Sequence, residues 1–126
     1  MAAAADPKIF IDALAVLEAR GDAGPIADLY ADDADLSNPL VQHRHRGKQG
    51  ATEFWTRYRG AFGEIRSEFH HVLADERSAL LEWTSRGTRA DGQPVEYRGV
   101  TVLEYGDGGI RTFRTYFDPR ALDRAP

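Results

Sequence analysis

The hydrophobic pattern of this chain changes its period once, near Glu64. Before that residue, apolar side chains recur three and four positions apart, as they do on the buried face of an α-helix. After it, runs with a strand-like period are separated by short turn segments. Helices that come first and strands that follow predict a single α+β domain over residues 1–126, with the helices covering one face of a sheet.

Three helices are predicted in the N-terminal half. The first spans residues 7–20, between an N-cap at Asp6 and a stop at Gly21. A second, short helix follows, and the third spans residues 50–62 and carries an aromatic face that we assign to the core. Residues 41–48 are polar and predict a loop. The apolar residues of the second and third helices are Ile26, Leu29, Tyr30, Phe54, Trp55, Tyr58 and Phe62.

Four strands are predicted in the C-terminal half. The segments between them are short and rich in turn residues, which favours hairpin connections. The strands should therefore form an antiparallel meander. They are predicted at residues 64–74, 78–89, 95–105 and 110–118.

Charge and composition narrow the possible partners. The formal net charge is −4, whereas a nucleic-acid-binding domain normally carries a basic surplus. The one basic run, from His43 to Arg46, is too short to reverse the overall sign, so no nucleic-acid partner is predicted. No window approaches the roughly 18 apolar residues that span a bilayer, and the first residues lack the regions of a signal peptide. These features predict a cytoplasmic protein without membrane association.

The histidines do not predict a metal site. The chain has no cysteine, and a metal usually needs three or more converging ligands. His43 and His45 fall in a predicted loop. His70 and His71 fall in a strand, where alternation places them on opposite faces, so that one of the two can face a pocket as a second acid/base group. A solvated or core histidine is the more ordinary expectation for both.

Two segments of the chain resemble one protein family. Residues 21–39, GDAGPIADLYADDADLSNP, closely resemble the second-helix region of ketosteroid isomerases and of SnoaL-type polyketide cyclases. Residues 108–118, GGIRTFRTYFD, resemble the last strand of SnoaL-like cyclases and of limonene epoxide hydrolases. With the matching order and spacing of elements, the resemblance covers about residues 8–122. It implies an NTF2-like cone, in which three N-terminal helices pack on a curved antiparallel sheet and enclose one pocket.

The catalytic residues of ketosteroid isomerase do not carry over. The place of its general base, an Asp before a loop Pro, holds Asn38, and an amide cannot accept a proton at neutral pH. Its oxyanion-hole Tyr and protonated Asp fall near Leu14 and Thr101. The resemblance therefore does not imply steroid isomerisation by that mechanism.

The epoxide-hydrolase pattern fits in part. The last-strand Asp and the loop Asn of those enzymes match Asp118 and Asn38, but their loop Tyr falls at Leu36. Their strand Arg and second Asp fall at Trp83 and Ser85, which removes the acid that protonates the epoxide oxygen. What remains is Asp118, which also matches the acid/base Asp of SnoaL-type cyclases.

We therefore predict that Asp118 is the catalytic acid/base, with Asn38 and Tyr116 as supporting groups. Residues two apart on a strand share a face, and in the family's orientation the face of Asp118, Tyr116 and Arg114 points into the cone. The competing interpretation is that Asp118 and Pro119 merely end the strand and that Arg114 pairs with Asp118. The residues predicted to bind substrate are Trp83, Ser85, Thr101, Leu103, Tyr58, Leu36 and Arg114.

The predicted function is that of a SnoaL-like enzyme that transfers a proton on a small, apolar, oxygenated ring compound, as an isomerase, cyclase or hydrolase does. Such chemistry needs no metal or organic cofactor. Two alternatives are a non-catalytic binding protein for a small apolar ligand and a dimerising structural module whose pocket is filled by side chains. A homodimer is expected through the outer sheet face, because a single-layer sheet leaves apolar residues exposed. The residues expected at that contact are Val100, Val102, Phe113 and Phe117.

Overall fold

The structure, a computed structural model, describes residues 6–40 and 45–122. In these residues three α-helices pack on a curved sheet of six strands, which confirms the predicted α+β architecture. No helix among them is long and apolar enough to cross a bilayer. The elements are α1 (Pro7–Arg20), α2 (Gly24–Ala27), β1 (Tyr30–Ser37), β2 (His45–Arg46), α3 (Gly47–Gly60), β3 (Phe62–Ala74), β4 (Ser78–Arg89), β5 (Pro94–Gly106), β6 (Gly109–Phe117) and a 3₁₀ turn (Pro119–Leu122).

Helix α1 begins and ends where the sequence predicts. Asp6 accepts a hydrogen bond from the backbone N–H of Lys8 at 2.9 Å, which satisfies one of the free donors of the first turn. Gly21 ends the helix with a φ of 73°, a left-handed conformation that favours glycine. The buried face of α1 consists of Phe10, Ala13, Leu14, Leu17 and Glu18.

The strands follow the order β2-β1-β6-β5-β4-β3 in the sheet. Strands β3 to β6 form the predicted antiparallel meander, and their bounds lie within two residues of the predicted ones. Strand β1, which the sequence did not predict, pairs in parallel with β6. This pairing attaches the N-terminal half of the chain to the last strand of the sheet.

The region after α1 differs from its prediction. Helix α2 ends at Ala27, and Tyr30, expected on the helix face, begins β1. The spacing of Ile26, Leu29 and Tyr30 is a local signal for a helix. Pairing with β6 is a long-range interaction that no local pattern shows, and it overrides the weak local preference.

Helix α3 begins three residues before its predicted start, at Gly47, and it ends at Gly60 because Phe62 already belongs to β3. Residues 45 and 46, predicted as loop, form β2 beside β1. Gly47 has a φ of 68°, and a Cβ there would stand 2.8 Å from the backbone oxygen of Asp32. The helix can start so close to β1 only with glycine at this position. Residues 41–44, and with them the predicted loop residue His43, lie outside the described residues.

A β-bulge in β3 overturns the prediction that the two strand histidines lie on opposite faces, while both are solvated, as the more ordinary expectation had it. Phe69 lies opposite Trp83 and His71 lies opposite Glu82, so that His70 is an extra residue in the ladder. The alternation of faces is interrupted there, and both histidines are exposed and bonded to side chains of β4. Neither His70 nor His71 is among the residues that line the cavity described below.

The face of β6 that points into the fold is the opposite of the predicted one. Phe113 and Thr115 are buried, whereas Tyr116 is 55% exposed. The predicted alternation is correct, but the orientation taken from the family resemblance is wrong. The reason is aromatic burial, because the inward face of β6 is its more apolar one. The ring of Phe113 lies within 6.5 Å, centroid to centroid, of the rings of Phe10, Tyr30, Phe54 and Trp55.

This orientation also corrects the expected dimer contact. Phe113 and Phe117 lie on the concave side of the sheet and line the cavity, so they cannot contribute to its outer face. Val100 and Val102 lie opposite Tyr116 and Arg114 in the ladder, on the outer face as expected.

Candidate active site

A cavity of about 860 Å³ lies between helices α1 and α3 and the concave face of the sheet. Most of its wall is apolar, and its polar side chains fall into an interior group and an exposed rim. Both the volume and the composition are those of small-molecule sites. The apolar wall includes Phe10, Leu14, Phe54, Trp55, Phe62, Phe69, Trp83 and Phe113.

Glu18, on the buried face of α1, is only 6% exposed and lies behind the cavity wall. Its carboxylate accepts hydrogen bonds from the hydroxyl of Tyr58 at 2.6 Å, from the backbone N–H of Ser67 at 2.9 Å and from the hydroxyl of Ser67 at 2.6 Å. None of the ion pairs within residues 6–40 and 45–122 includes Glu18. A buried carboxylate without a cationic partner is costly, and such groups concentrate at functional sites.

Ser85 connects this network to the cavity. Its Oγ lies 2.6 Å from the Oγ of Ser67, because pairing of β3 with β4 places the two serines opposite each other. The single hydroxyl proton of Ser67 is donated to Glu18, so Ser85 is the donor in the bond between the serines. We call Tyr58, Ser67 and Ser85, which all line the cavity, the hydroxyl cluster.

A second chain of hydrogen bonds crosses the cavity wall from β4 to β6. The indole N–H of Trp83 donates to Thr101 Oγ1 at 2.9 Å, and that oxygen lies 3.0 Å from Thr115 Oγ1. Thr115 donates to the backbone oxygen of Val100 at 3.3 Å. Either hydroxyl can be the donor between the two threonines, and the three side chains hold one another in place.

Burial keeps the phenols of the cavity neutral. Desolvation raises the pKa of Tyr58 well above its ordinary value, and the nearby Tyr97 and the charge of Glu18 raise it further. The pKa of Tyr97 is also raised, chiefly by burial and then by Glu18, while a hydrogen bond with Tyr58 partly opposes the rise. Both phenols can therefore form hydrogen bonds near neutral pH, but neither serves as an anionic base.

The rim of the cavity is exposed and charged. Arg46, Glu53 and Arg57 are exposed rim residues, and His45 is half-buried beside them. The imidazole of His45 lies edge-on to the ring of Phe54, with their centroids 5.7 Å apart. The rim thus carries charges of both signs, and the Nε of Arg46 lies 3.5 Å from Asp35 Oδ1.

The sequence-predicted binding residues divide between the cavity, the core and the outer face. Leu36 and Leu103 are fully buried in the core and do not line the cavity. Arg114 and Tyr116 lie on the outer face, where Arg114 pairs with Glu104 at 2.9 Å. The predicted site residues that do line the cavity are Asn38, Tyr58, Trp83, Ser85 and Thr101.

Asp118 follows the end of β6, and its side chain is 51% exposed. Its carboxylate accepts hydrogen bonds from the Nε of Arg120 at 3.0 Å, the Nη2 at 2.9 Å and the backbone N–H at 3.0 Å. The alternative prediction that Arg114 pairs with Asp118 is not what these contacts show, although Pro119 does begin a turn. Asp118 is not among the lining residues, and its acid/base role stays a prediction.

Parts of the interior were not predicted, among them Glu18, Ser67 and Thr115. Glu18 lies on the face of α1 that the spacing of Phe10, Leu14 and Leu17 marks as apolar. A charged residue on such a face is a feature of the sequence from which the buried carboxylate could have been predicted. Thr115 was missed because the orientation of β6 was reversed. Within the described ranges, no group of three or more His, Asp or Glu side chains could hold a metal ion.

Comparison with known proteins places this chain in a family. The sequence model of the SnoaL-like domain matches residues 10–113. A search of curated proteins found no match.

Solved structures share the fold over most of their length. An NTF2-like protein from Anabaena variabilis ATCC 29413 is 20% identical, with a TM-score of 0.79 over 90% of this chain and 87% of that one. An LEH-like epoxide hydrolase from M. tuberculosis is 25% identical, with a TM-score of 0.68 over 92% of this chain and 87% of the other. A protein with a ketosteroid isomerase-like fold from Catenulispora acidiphila DSM 44928, in complex with trimethylamine, is 13% identical, with a TM-score of 0.78 over 93% and 97%.

Proposed function

The chain belongs to the SnoaL-like domain family, and from this premise we propose that it is an enzyme that transfers a proton on a small, largely apolar, oxygenated ring compound. The reaction would be of the isomerase, cyclase or hydrolase type and would need no cofactor. The observation that carries the proposal is the cavity of about 860 Å³, whose aromatic wall is interrupted by buried hydroxyl groups.

The cavity suits this chemistry for two reasons. Its apolar wall excludes water from a bound ring, which strengthens each polar contact that remains. Its hydroxyl groups are held by one another, by Glu18 and by a backbone oxygen, so they are positioned before a ligand binds. The likeness to an epoxide hydrolase and to a ketosteroid isomerase-like fold agrees with a small-molecule substrate.

A binding protein without turnover is the second candidate. It is favoured by the raised pKa values of Tyr58 and Tyr97, because neutral phenols can hold a ligand without removing a proton from it. A purely structural module is less well supported, since that interpretation expects side chains to fill the cavity. Turnover of a bound ring compound separates the two candidates.

A larger side chain in the cavity wall tests whether a ligand binds in the cavity. Leu14→Phe enlarges a buried side chain of the wall, and we expect it to abolish binding of ring ketones, lactones and epoxides in a ligand screen by NMR. Leu73→Phe makes the same change on the outer face, where Leu73 is 65% exposed, and should leave binding intact. Equal binding by both variants would place the ligand elsewhere and refute the proposal.

The acid/base role of Asp118, supported by Asn38 and Tyr116, is tested separately. If Asp118 transfers the proton, Asp118→Asn abolishes turnover and leaves ligand affinity within about twofold of wild type. Asp118 lies outside the cavity lining and bonds to Arg120, so its substitution can affect folding. The circular dichroism spectrum and melting temperature of Asp118→Asn are therefore compared with those of wild type first. Unchanged turnover in a folded Asp118→Asn variant removes the residue from the mechanism.

We also propose that the protein forms a homodimer through the outer face of the sheet. Apolar side chains cluster there, of which Leu73, Leu80 and Tyr116 are exposed and the two valines are half-buried, and an exposed patch of this kind commonly marks a protein contact. The patch consists of Leu73, Leu80, Val100, Val102 and Tyr116.

A further inference from the structure

The hydroxyl protons of the cluster all point away from the cavity. Tyr58 and Ser67 each donate their only hydroxyl proton to Glu18, and Ser85 donates its own to Ser67. Tyr58 and Ser85 therefore keep only oxygen lone pairs as hydrogen-bonding capacity. Tyr97, which lines the cavity and is hydrogen-bonded to Tyr58, takes part of the capacity of Tyr58, whereas Ser85 presents its lone pairs to the cavity. The direction of every bond in this cluster follows from the presence of a carboxylate, which can only accept.

The second hydrogen-bonded chain contains no carboxylate that fixes the directions of its protons. The N–H of Trp83 is used on Thr101, and the hydroxyls of Thr101 and Thr115 bond to each other and to the backbone oxygen of Val100. The hydroxyl cluster is thus the part of the wall in which a carboxylate sets the proton directions.

From these directions we infer that the hydroxyl cluster is a hydrogen-bond-accepting subsite, and that it takes a ligand through a neutral hydroxyl group such as that of an enol, a phenol or an alcohol. The inference rests on the proposed function. It specifies the chemical class of the compound and states that the hydroxyl end of the compound enters the cavity first. Glu18 acts as a positioning residue, since it does not line the cavity but sets the direction of Tyr58 and Ser85.

Charge supports the same assignment. A ligand oxygen that carries a negative charge would meet the lone pairs of the cluster and the charge of Glu18 behind them, which disfavours it there. Arg57, on the exposed rim of the cavity, can receive an anionic substituent instead, whereas Arg46 beside it is paired with Asp35. The subsite therefore selects a neutral donor over its own conjugate base.

A pair of ligands that differ by one methyl group on the oxygen tests the inference. 2-Naphthol donates a hydrogen bond through its hydroxyl, and 2-methoxynaphthalene cannot. We expect the wild-type protein to bind 2-naphthol about ten- to a hundredfold more tightly in a fluorescence titration, the range expected for a hydrogen bond strengthened by a charge. Equal affinities would overturn the inference.

The variant Glu18→Gln reverses the direction of hydrogen bonds in the hydroxyl cluster and keeps the shape of the side chain. An amide oxygen can still accept from the backbone N–H of Ser67, while the NH₂ group donates to Tyr58 and to the hydroxyl of Ser67. The hydroxyl protons of Tyr58 and Ser85 are then free to turn to the cavity. We expect the preference for 2-naphthol to disappear and the affinity for 2-acetylnaphthalene, a hydrogen-bond acceptor, to rise severalfold.

The control variant is Glu82→Gln, which makes the same change at an outer-face carboxylate that contacts His71. It should keep the wild-type preference. A purely structural role for Glu18 would alter stability and not the sign of ligand preference, so an unchanged preference in Glu18→Gln also overturns the inference.

Two more variants keep the test decisive if Glu18→Gln does not fold. Ser85→Ala and Tyr58→Phe each remove one accepting oxygen and should each reduce the preference for 2-naphthol severalfold, and no reduction in either would contradict the inference. Failure of both naphthalenes to bind wild type would refute the proposed function itself. Tight binding of both without discrimination would refute only the accepting subsite.

Discussion

Glu18 is the one ionisable residue on the buried face of α1, among Phe10, Ala13, Leu14 and Leu17. Burying a carboxylate costs several kcal/mol unless hydrogen bonds replace its water. Here donors from α3 and β3 do so, through Tyr58 and Ser67. The residue thus joins three elements at one point, and its free-energy cost is offset only when all three are in place.

The buried tyrosines predict a loss of stability at high pH. Burial raises the pKa of Tyr30, Tyr58 and Tyr97 in the folded protein, while in the unfolded chain each phenol ionises near its ordinary value of about 10. Below that pH both states are protonated and the stability is complete. Above it only the unfolded state loses protons, so the free energy of unfolding should fall by roughly 1.4 kcal/mol per pH unit for each tyrosine.

Urea unfolding at a series of pH values measures this slope. In Tyr58→Phe one of the three phenols is absent. The decline of the free energy of unfolding above about pH 10 should then be shallower by about 1.4 kcal/mol per pH unit than in wild type. An identical slope in wild type and Tyr58→Phe would mean that Tyr58 ionises as readily in the folded protein as in the unfolded chain.

Among the helices and strands, the sequence predicts well those whose bounds are set by residues close together in the chain. The meander strands β3 to β6 end at turn residues, and α1 is bounded by Asp6 and Gly21, so these bounds are visible locally. Strand β1 depends on pairing with β6, which no local pattern reveals. The inward face of β6 was predicted wrongly because the family orientation was preferred to the apolar character of Phe113 and Phe117. Ser85 and Thr101 were predicted because the inward faces of β4 and β5 were assigned correctly, whereas Thr115 was missed because the inward face of β6 was reversed.

Substitution of the two glycines at the ends of α3, Gly47 and Gly60, should change the free energy of unfolding in opposite directions. Gly47→Ala forces a Cβ into a left-handed residue and against the backbone oxygen of Asp32, and should lower the free energy of unfolding by about 1–3 kcal/mol. Gly60→Ala meets nothing within 4 Å and should raise it by up to about 1 kcal/mol. Chemical denaturation of both variants checks the pair, and a neutral Gly47→Ala would show that α3 does not need this close approach to β1.

For the whole molecule, the outer sheet face determines how copies can meet. A row of apolar side chains crosses three strands there, because Leu80 lies opposite Leu73 on one side and opposite Val102 on the other. Leu73 is 65% exposed and Leu80 is 40% exposed. A second copy that brought the same row would cover both.

We expect wild type to have the mass of a dimer in light scattering, and Leu80→Glu to have that of a monomer, because a charge in the middle of the row would be buried unpaired. Ile9→Glu adds the same charge at an exposed position of α1 and should leave the dimer intact. A monomeric wild-type protein at micromolar concentration would contradict the dimer.

The parallel contact of β1 with β6 also sets the order in which the molecule can assemble. Asp33 beside β6 is bonded to Arg111, 78 positions further along the chain. During synthesis, which proceeds from the N-terminus, β1 and the apolar stripe of α1 leave the ribosome long before the strand that receives them. Closing so long a loop makes folding slow compared with that of helical proteins of this size. Until β6 has emerged, α1 can already meet β3, but β1 has no strand to pair with in the described structure except the two residues of β2.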